Sequence, residues 1–363
     1  MKALFHEIRH NPLLWLLVFV PALFAAQQLK PGAYTLFFLL SVLAIVPLAA
    51  LLSRATESVA AKTGDTVGGL LNATLGNLTE LVIALAALRA GEYMLVKASI
   101  AGAIVTNVLF VLGASFLLGG LKYHLQEYNR VNTRLQASLL FLATIALLIP
   151  SAIARADATA SSEFTGKLSV GLAVLLILTY GLGMVFSLKT HREVFASAQH
   201  TEEGEECWPI GLALATLAVV TLLVALVSEI FVESVQEAGQ TFGMTPAFVG
   251  FIVVALVGGA AEMGSAFSGA RKNRLDLSVG IALGSASQIA LFVAPVLALL
   301  SYLIGPAPMD LQFWPGAIIM MLIATITVSL VTASGHSAWF VGAFILTVYI
   351  IFAMTLYLLP PQA

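Results

Sequence analysis

Apolar stretches long enough to cross a membrane recur along almost the whole chain. A helix needs about 20 apolar residues to cross a hydrocarbon core roughly 30 Å thick, and such stretches recur from Leu13 to the C-terminus. The chain is 60% hydrophobic and only 10% charged, whereas soluble domains carry about 25% charged residues. The sequence therefore predicts an all-α, polytopic protein embedded in the lipid bilayer. Nothing resembles a basic nucleic-acid surface.

Charged residues, prolines and glycines divide the apolar sequence into eleven predicted transmembrane helices. They cover residues 12–28, 33–53, 65–88, 93–119, 134–153, 167–188, 208–230, 246–269, 275–304, 312–333 and 338–359. The basic start of the chain is typical of a signal peptide, but Pro21 interrupts the apolar run and no clear cleavage site follows. We therefore interpret the first span as a retained helix. With the N-terminus inside, twelve of the 17 basic residues fall on the cytoplasmic side, which favours that orientation and an outer C-terminus.

Two segments repeat a pattern around an acidic residue that a membrane helix should lack. Residues 76–111 and 258–293 align without a gap, and nine of 36 positions are identical. The matches include Glu80 with Glu262 and Gly102 with Gly284, each pair 182 residues apart. An acidic residue repeated inside two apolar stretches indicates an ion path through a duplicated transporter.

The number of spans fixes how the two copies are related. Five predicted spans lie between the first helix and the loop at 189–207, and five follow it, so equivalent spans cross in opposite directions. We expect an N-terminal helix at 1–30, a five-helix repeat at 31–188, a cytoplasmic linker at 189–207 and a second, inverted five-helix repeat at 208–363. The sequence leaves the oligomeric state open, a homo-oligomer included.

The linker contains the one acidic run of the chain, Thr-Glu-Glu-Gly-Glu-Glu. Its carboxylates belong to Glu202, Glu203, Glu205 and Glu206. One interpretation is a solvated cytoplasmic linker, and the other is a regulatory segment that senses a divalent cation. The spacing is not that of an EF-hand loop, so a preformed calcium site is not expected here. The single cysteine, Cys207, excludes an internal disulfide.

Glu80 and Glu262 are the candidate ion-binding residues. An ionised carboxylate at the bilayer centre costs about 2.5 to 3.5 kcal/mol on insertion scales, and both residues lie deep in their predicted spans. The alternative for one such residue is a protonated glutamate hydrogen-bonded inside a bundle. Two glutamates at equivalent positions of a repeat favour the ion site.

Small residues and neutral oxygen groups surround both glutamates in the sequence. Glycines such as Gly76 and Gly258 allow a helix to unwind and free backbone carbonyls as ligands, or simply to pack closely. Polar side chains follow on the neighbouring spans. They are Asn72, Thr74, Asn77, Thr79, Ser99, Thr106, Asn107, Ser285, Ser287 and Gln288. Oxygen ligands without histidine or cysteine suit a hard cation such as calcium, sodium or manganese.

These motifs resemble a known family. The segments GGLLNATLGNLTELVIALAAL and GGAAE, the latter followed by KNRLDLSVGIALGSASQIALFV, are similar to the two alpha-repeats of calcium/proton exchangers, the CAX family of the calcium/cation antiporter superfamily. The resemblance covers essentially all eleven spans. It implies an antiporter with alternating access, which exports Ca²⁺ in exchange for H⁺, and not an enzyme. No resident cofactor is expected, because Ca²⁺ and H⁺ are the substrates.

The resemblance also assigns roles to individual positions. It implies that Glu80 and Glu262 are the two central acidic ligands, and that the same site is lined by Gly76, Asn77, Asn107, Ser285 and Gln288. The first helix corresponds to the extra helix of the family, and the acidic run to its cytosolic acidic segment. Two positions depart from the family pattern: Gly259 replaces an asparagine and Ala103 a serine, and both changes remove side-chain oxygens.

Calcium and protons should compete for this pair of carboxylates. Desolvation and mutual repulsion favour protonation of an empty pair, while a bound divalent cation favours ionisation. Two glutamates loaded with one calcium, or with two protons, are neutral in either case. A bare divalent charge would instead cost about 4.6 kcal/mol per 100 mV to export.

A second repeated pair is Glu57 in Thr-Glu-Ser-Val and Glu233 in Val-Glu-Ser-Val. They lie near opposite membrane surfaces in the predicted topology. They are interpreted either as interfacial charges or as residues of ion entry or proton transfer.

Alternatives remain open from the residues alone. The same ligands would serve exchange driven by sodium, or export of manganese or another divalent cation. An intramembrane hydrolase using Ser115 with His336 as base would leave the repeated glutamates unexplained. Short loops and the absence of an organellar presequence favour the cytoplasmic membrane of a prokaryote.

Overall fold

The computed structural model describes residues 2–156, 162–190 and 208–358 and is helical almost throughout. The helices are α1 Lys2–His10, α2 Pro12–Leu29, α3 Tyr34–Lys62, α4 Asp65–Leu75, α5 Leu78–Arg89, α6 Tyr93–Tyr123, α7 Arg130–Ala156, α8 Ser162–Val185 with a π-helical end at Phe186–Thr190, α9 Ile210–Phe242, α10 Pro246–Gly258, α11 Ala260–Arg271, α12 Leu275–Ile304, α13 Pro315–Val331 and α14 Trp339–Leu358. The acidic run of the linker lies outside the described residues.

Every predicted span contains helix, and most helices are long enough to cross a membrane. Within the described residues, eight helices have the length and apolar character of a span, and α10 with α11 forms a ninth that is bent by 58°. Helix α13 is apolar but has 17 residues. The predicted span 65–88 is instead two short helices, α4 and α5, of 11 and 12 residues. The chain is a multi-pass helical membrane protein.

Two helix breaks interrupt the chain at equivalent places. Helix α4 ends before Gly76 and Asn77, and α10 ends before Gly259. Positions 77 and 259 are 182 residues apart, as are the two glutamates. Each break therefore starts a new helix, α5 or α11, with its glutamate in the first turn. The free N–H groups and the positive end of the helix dipole favour a carboxylate there.

Helices α6 and α12 form the buried centre of the bundle. Each carries the sequence Leu-Phe-Val at equivalent positions of the two repeated segments, 109–111 and 291–293. Almost every residue of α6 from Leu95 to Leu112 is buried. Both helices widen into a π-helical turn, at Thr106–Val111 and at Ile289–Val293. Such turns are often found at functional sites because the extra residue re-aims neighbouring side chains. Here they lie next to the polar residues of the candidate site.

One short antiparallel strand pair joins two loops, an element that the sequence did not predict. Strand β1, Leu125–Glu127, pairs with β2, His336–Ala338. The buried Gln126 side chain donates hydrogen bonds to the Ala270 carbonyl at 3.0 Å and to Asn273 Oδ1 at 2.9 Å. These contacts hold together the ends of α6, α11 and α13.

At the opposite end of α6, an ion pair fixes the segment that connects α12 with α13. Lys97 Nζ lies 2.5 Å from Asp310 Oδ1, and both side chains are partly buried. The hydroxyl groups of Ser151 and Ser169 accept hydrogen bonds from the backbone of Phe313 and Leu311. The connecting segment is thus fastened to α6, α7 and α8.

Candidate transport site

The two helix breaks meet, so that the glutamate of one repeat contacts the break of the other. A Cβ atom at Gly258 would lie 3.1 Å from Glu80 Cγ and 3.4 Å from its Oε1. A Cβ at this position would be packed tightly against the Glu80 side chain, so glycine gives Glu80 the most room. Glu262 lies near enough to Glu80 for the two carboxyl groups to interact electrostatically. The structure therefore brings Glu80, Glu262 and Gly258 together.

A chain of hydrogen bonds links the polar residues of α5, α6 and α12. Asn77 Nδ2 donates to Gln288 Oε1 at 2.6 Å, and Ser285 Oγ donates to Asn77 Oδ1 at 2.6 Å. Asn107 Nδ2 donates to Ser285 Oγ at 3.1 Å. Gly76 is adjacent, since a Cβ there would lie 3.5 Å from Gln288 Oε1. Four of the predicted site residues thus form one connected network.

Two buried oxygens in this network have no hydrogen-bond donor. They are Glu262 Oε2 and Asn107 Oδ1. Ser285 and Asn107 lie near the Glu262 carboxyl group, but their donor groups are directed to Asn77 and Ser285. Buried acceptors without a donor are rare because each costs about 1 to 3 kcal/mol. A cation or a proton bound here would satisfy both oxygens.

The donor chemistry fits a transported hard cation. Among the described residues no group of three or more His, Cys, Asp or Glu side chains lies close enough to hold a metal. A divalent cation at Glu80 and Glu262 would therefore take its other ligands from neutral amide, hydroxyl and backbone oxygens. Such a set suits Ca²⁺, which accepts 6 to 8 oxygen ligands in flexible geometry.

A narrow cavity lies beside Glu80 and is otherwise mostly apolar. Ser99, Ala103, Val254 and Ile289 are among its lining residues. The Ser99 hydroxyl is engaged with the Val96 carbonyl at 2.8 Å. Ala103, where the family commonly has serine, contributes only a methyl group. The polar side chains are therefore concentrated on the side of Glu262, and the cavity beside Glu80 is mostly apolar.

Thr106 has a partner that the sequence did not indicate. Its hydroxyl lies 3.2 Å from the hydroxyl of Tyr349 on α14, and both residues are buried. The Tyr349 ring packs against Phe110 at 5.2 Å. No motif marks this tyrosine in the sequence, because its role depends on how α14 packs against α6.

The second acidic pair lies apart from the central carboxylates. Glu57 is exposed at the end of α3, where it accepts a hydrogen bond from Ser53 at 3.2 Å and lies 3.9 Å from Arg54. Glu233 is exposed on α9, one turn from Glu229, which pairs with Arg89 at 3.0 Å. The structure places both on helix surfaces.

Ser115 and His336, the residues of the hydrolase alternative, do not join the site. Ser115 is buried in α6, whereas His336 is exposed in β2, and no hydrogen bond connects them in the described part of the chain. The acidic residues Glu202, Glu203, Glu205 and Glu206, together with Cys207, lie outside the described residues.

The two repeats pack differently on either side of the site. Gly102 of α6 lies directly against the backbone of Phe251 in α10, since a Cβ at position 102 would fall 2.6 Å from the Phe251 carbonyl carbon. Within the described part of the chain, the equivalent Gly284 of α12 has no atom within 4 Å of its Cβ position. Position 69 of α4 is equivalent to position 251, and a Cβ at Gly69 would meet the side chain of Leu188 at the end of α8. Helix α10 therefore packs directly against α6, whereas α4 contacts the end of α8.

Comparison with known proteins gives the family. A family model described as sodium/calcium exchanger protein matches residues 33–189 and 212–358. A protein named Ca(2+)/H(+) antiporter from Aphanothece halophytica is 38% identical over 359 residues, which cover 95% of this chain and 96% of the relative. A protein of the same name from Synechocystis is 40% identical over 361 residues, with 95% and 96% covered.

Solved structures give the same assignment. The structure of native YfkE has 34% sequence identity and a TM-score of 0.82, and the match covers 95% of this chain and 98% of that one. A crystal structure of the H+/Ca2+ exchanger CAX is 17% identical with a TM-score of 0.73, which shows the shared fold. The chain therefore belongs to the sodium/calcium exchanger protein family, in the calcium/proton exchanger branch that its repeat motifs indicated.

Proposed function

We propose that this protein exports Ca²⁺ in exchange for H⁺ by alternating access. The observation that carries the proposal is the meeting of Glu80 and Glu262 at two equivalent helix breaks, with free oxygens of Glu262 and Asn107 beside them. The relatives named Ca(2+)/H(+) antiporter support calcium and protons as the exchanged ions.

One site serves both ions because each satisfies the same buried oxygens. Without a cation, burial and mutual repulsion favour protonated carboxyl groups, and a divalent cation displaces those protons. In either loaded state the carboxylate pair carries no net charge. The loaded site can then change its exposure from one side of the membrane to the other at little electrostatic cost.

The proposed architecture has eleven spans arranged as an N-terminal helix, 1–30, and two inverted five-helix repeats, 31–188 and 208–363. The equivalent helix breaks and the π-helical turns at corresponding positions support this arrangement. In this topology α4 with α5 forms one span, and α13 forms another. The distribution of basic residues supports a cytoplasmic N-terminus. The segment 189–207 is then a cytoplasmic linker.

In this topology the structure corresponds to a state that is open toward the cytoplasm. Helix α10 lies in the outer half, where Gly102 packs against Phe251. Helix α4 lies in the inner half, where no atom of the described residues lies within 4 Å of the Cβ position of Gly284. Because the repeats are equivalent, the opposite state would move α10 away from Gly102 and bring α4 onto Gly284. This exchange of contacts is the proposed alternation.

Competition between calcium and protons tests the proposed site. In purified protein, the apparent Kd for Ca²⁺ should rise as the pH is lowered, by about tenfold per pH unit for each competing proton. Glu80→Gln and Glu262→Gln should each abolish high-affinity binding. A calcium affinity that is independent of pH, or unchanged in either variant, would refute the site.

A further inference from the structure

Two amide side chains of the site are already engaged with each other. Asn77 Nδ2 donates to Gln288 Oε1 at 2.6 Å, while Asn77 Oδ1 accepts from Ser285 at 2.6 Å. A cation that took either amide oxygen would have to compete with a short hydrogen bond. The free oxygens of Asn107 and Glu262 carry no such cost. The site therefore contains two kinds of oxygen. Those of Asn77 and Gln288 already accept hydrogen bonds, whereas Asn107 Oδ1 and Glu262 Oε2 have no donor among the described residues.

The engaged pair exists in one repeat only. The position equivalent to Asn77 is Gly259, which has no side chain, and the position equivalent to Gln288 is Thr106. The Thr106 hydroxyl pairs with Tyr349 instead, at 3.2 Å. Two positions at which the repeats differ in side-chain chemistry thus contact each other in this structure.

We propose that Asn77 and Gln288 form an amide latch that positions the first helix break, and that neither is a cation ligand. Glu80 follows Asn77 by one helical turn and contacts Gly258 of the opposite break. The latch fastens the start of α5 to α12 and so holds Glu80 at a fixed distance from Glu262. At the second break the equivalent residue is Gly259, which has no side chain to form such a hydrogen bond.

The latch proposal depends on the proposed function only in the experiment that measures cation binding. A positioning residue supports every divalent cation alike, because its loss moves Glu80 without removing a ligand. A ligand is different: calcium, strontium and manganese differ in size and preferred coordination, so losing one ligand changes their relative affinities. The ratio of affinities therefore separates the two roles.

The first experiment measures thermal stability without divalent cations. Asn77→Gly and Gln288→Thr install the residues of the equivalent positions, and the double variant completes a cycle. We expect each single variant to lower the Tm, and the double variant to lower it no further, because either change breaks the same contact. Thr144→Val is the matched control, since it removes a buried interhelical hydrogen bond to Thr325 at 3.0 Å outside the site. Its change in Tm shows what the loss of one such hydrogen bond costs elsewhere in the bundle. Additive losses would overturn the latch.

The second experiment measures apparent affinities for Ca²⁺, Sr²⁺ and Mn²⁺ in the same variants. Both single variants should weaken all three by a common factor of about five, the usual worth of one hydrogen bond. The exchanged pair Asn77→Gln with Gln288→Asn keeps the combined side-chain length and should restore affinity that each single exchange loses. Altered ratios in Asn77→Gly, or no restoration by the exchanged pair, would make Asn77 a ligand and overturn the proposal.

The two proposals fail in different ways. If the wild-type protein is not stabilised by any divalent cation and transports none, the proposed function fails, while the cation-free cycle still decides whether the latch exists. If the wild-type protein exchanges calcium and the cycle is additive, only the latch fails.

Discussion

The close contact between Gly102 and Phe251 offers a direct test of the proposed alternation. In Gly102→Ala the new methyl group would overlap the Phe251 backbone, 2.6 Å from its carbonyl carbon and closer still to its Cα and carbonyl oxygen. A backbone cannot rotate aside as a flexible side chain can, so α6 and α10 must separate. The substitution should therefore disfavour the conformation in which these helices are closed.

The size of the effect follows from the cost of overpacking. Inserting one methyl group into a tightly packed contact typically costs about 1 to 3 kcal/mol. If separation of α10 relieves this strain, the ratio of cytoplasm-open to outward-open protein should fall by about 5- to 150-fold. Gly284→Ala is the matched control, because its methyl group meets no atom of the described residues within 4 Å in this conformation. By the repeat symmetry it should hinder only the opposite state.

The assay is the rate of cysteine labelling from the cytoplasmic side. The single native cysteine is removed by Cys207→Ser, and Asn72→Cys, exposed on α4, reports access to the site with a membrane-impermeant maleimide. Gly102→Ala should slow labelling, and Gly284→Ala should leave it unchanged or faster. Equal labelling in a folded Gly102→Ala protein, or the same change in both variants, would refute the reasoning.

Three further predictions follow. Glu80→Gln or Glu262→Gln should abolish calcium transport while the protein still inserts and purifies, because each removes a charged ligand; near-normal exchange, measured in everted vesicles, would contradict this. Lys97→Met should lower the Tm, since it leaves the partly buried Asp310 without its partner at 2.5 Å, a loss of about 1 to 3 kcal/mol; the charge exchange Lys97→Asp with Asp310→Lys should recover part of it, and no recovery would show that the ion pair is not what stabilises the segment. Deleting residues 201–206 should alter the apparent calcium affinity without abolishing exchange, and complete inactivity of a well-folded deletion would make that segment part of the transport machinery.

The positions of the helices could be predicted from the sequence because membrane crossing depends on apolar length alone. The ends of the helices were harder to predict from apolar length. Helices α3 and α9 continue to Lys62 and Phe242, well beyond the predicted span ends at 53 and 230. Hydropathy marks where a helix leaves the hydrocarbon, whereas the helix itself continues while its backbone hydrogen bonds are satisfied.

The break at Gly76 and Asn77 could only be predicted in part. The glycines indicated a helix able to unwind, but a local sequence does not say where, because Gly68 and Gly69 are equally permissive and remain helical. The hydrogen bond from Asn77 to Gln288, 211 residues away, lies at the break itself and has no local sequence signal. The same limit applies to Tyr349 and to the strand pair β1 and β2, which depend on contacts distant in sequence.

The repeat, by contrast, made the central glutamates predictable. Two buried carboxylates at equivalent positions of a repeat favour one shared ion site, an expectation that needs no knowledge of side-chain packing. The repeat could not predict that the two breaks would differ in their contacts. Asn77 at the first break donates a hydrogen bond to Gln288, whereas Gly259 at the second break has no side chain.

Coupled flux through the purified protein in proteoliposomes tests the central claim most directly. An imposed pH gradient should drive Ca²⁺ against its concentration gradient, protons should move in the opposite direction in the same recording, and sodium should be dispensable. Dissipating the pH gradient should stop the calcium movement. Calcium flux that survives loss of the proton gradient but requires sodium would contradict the account.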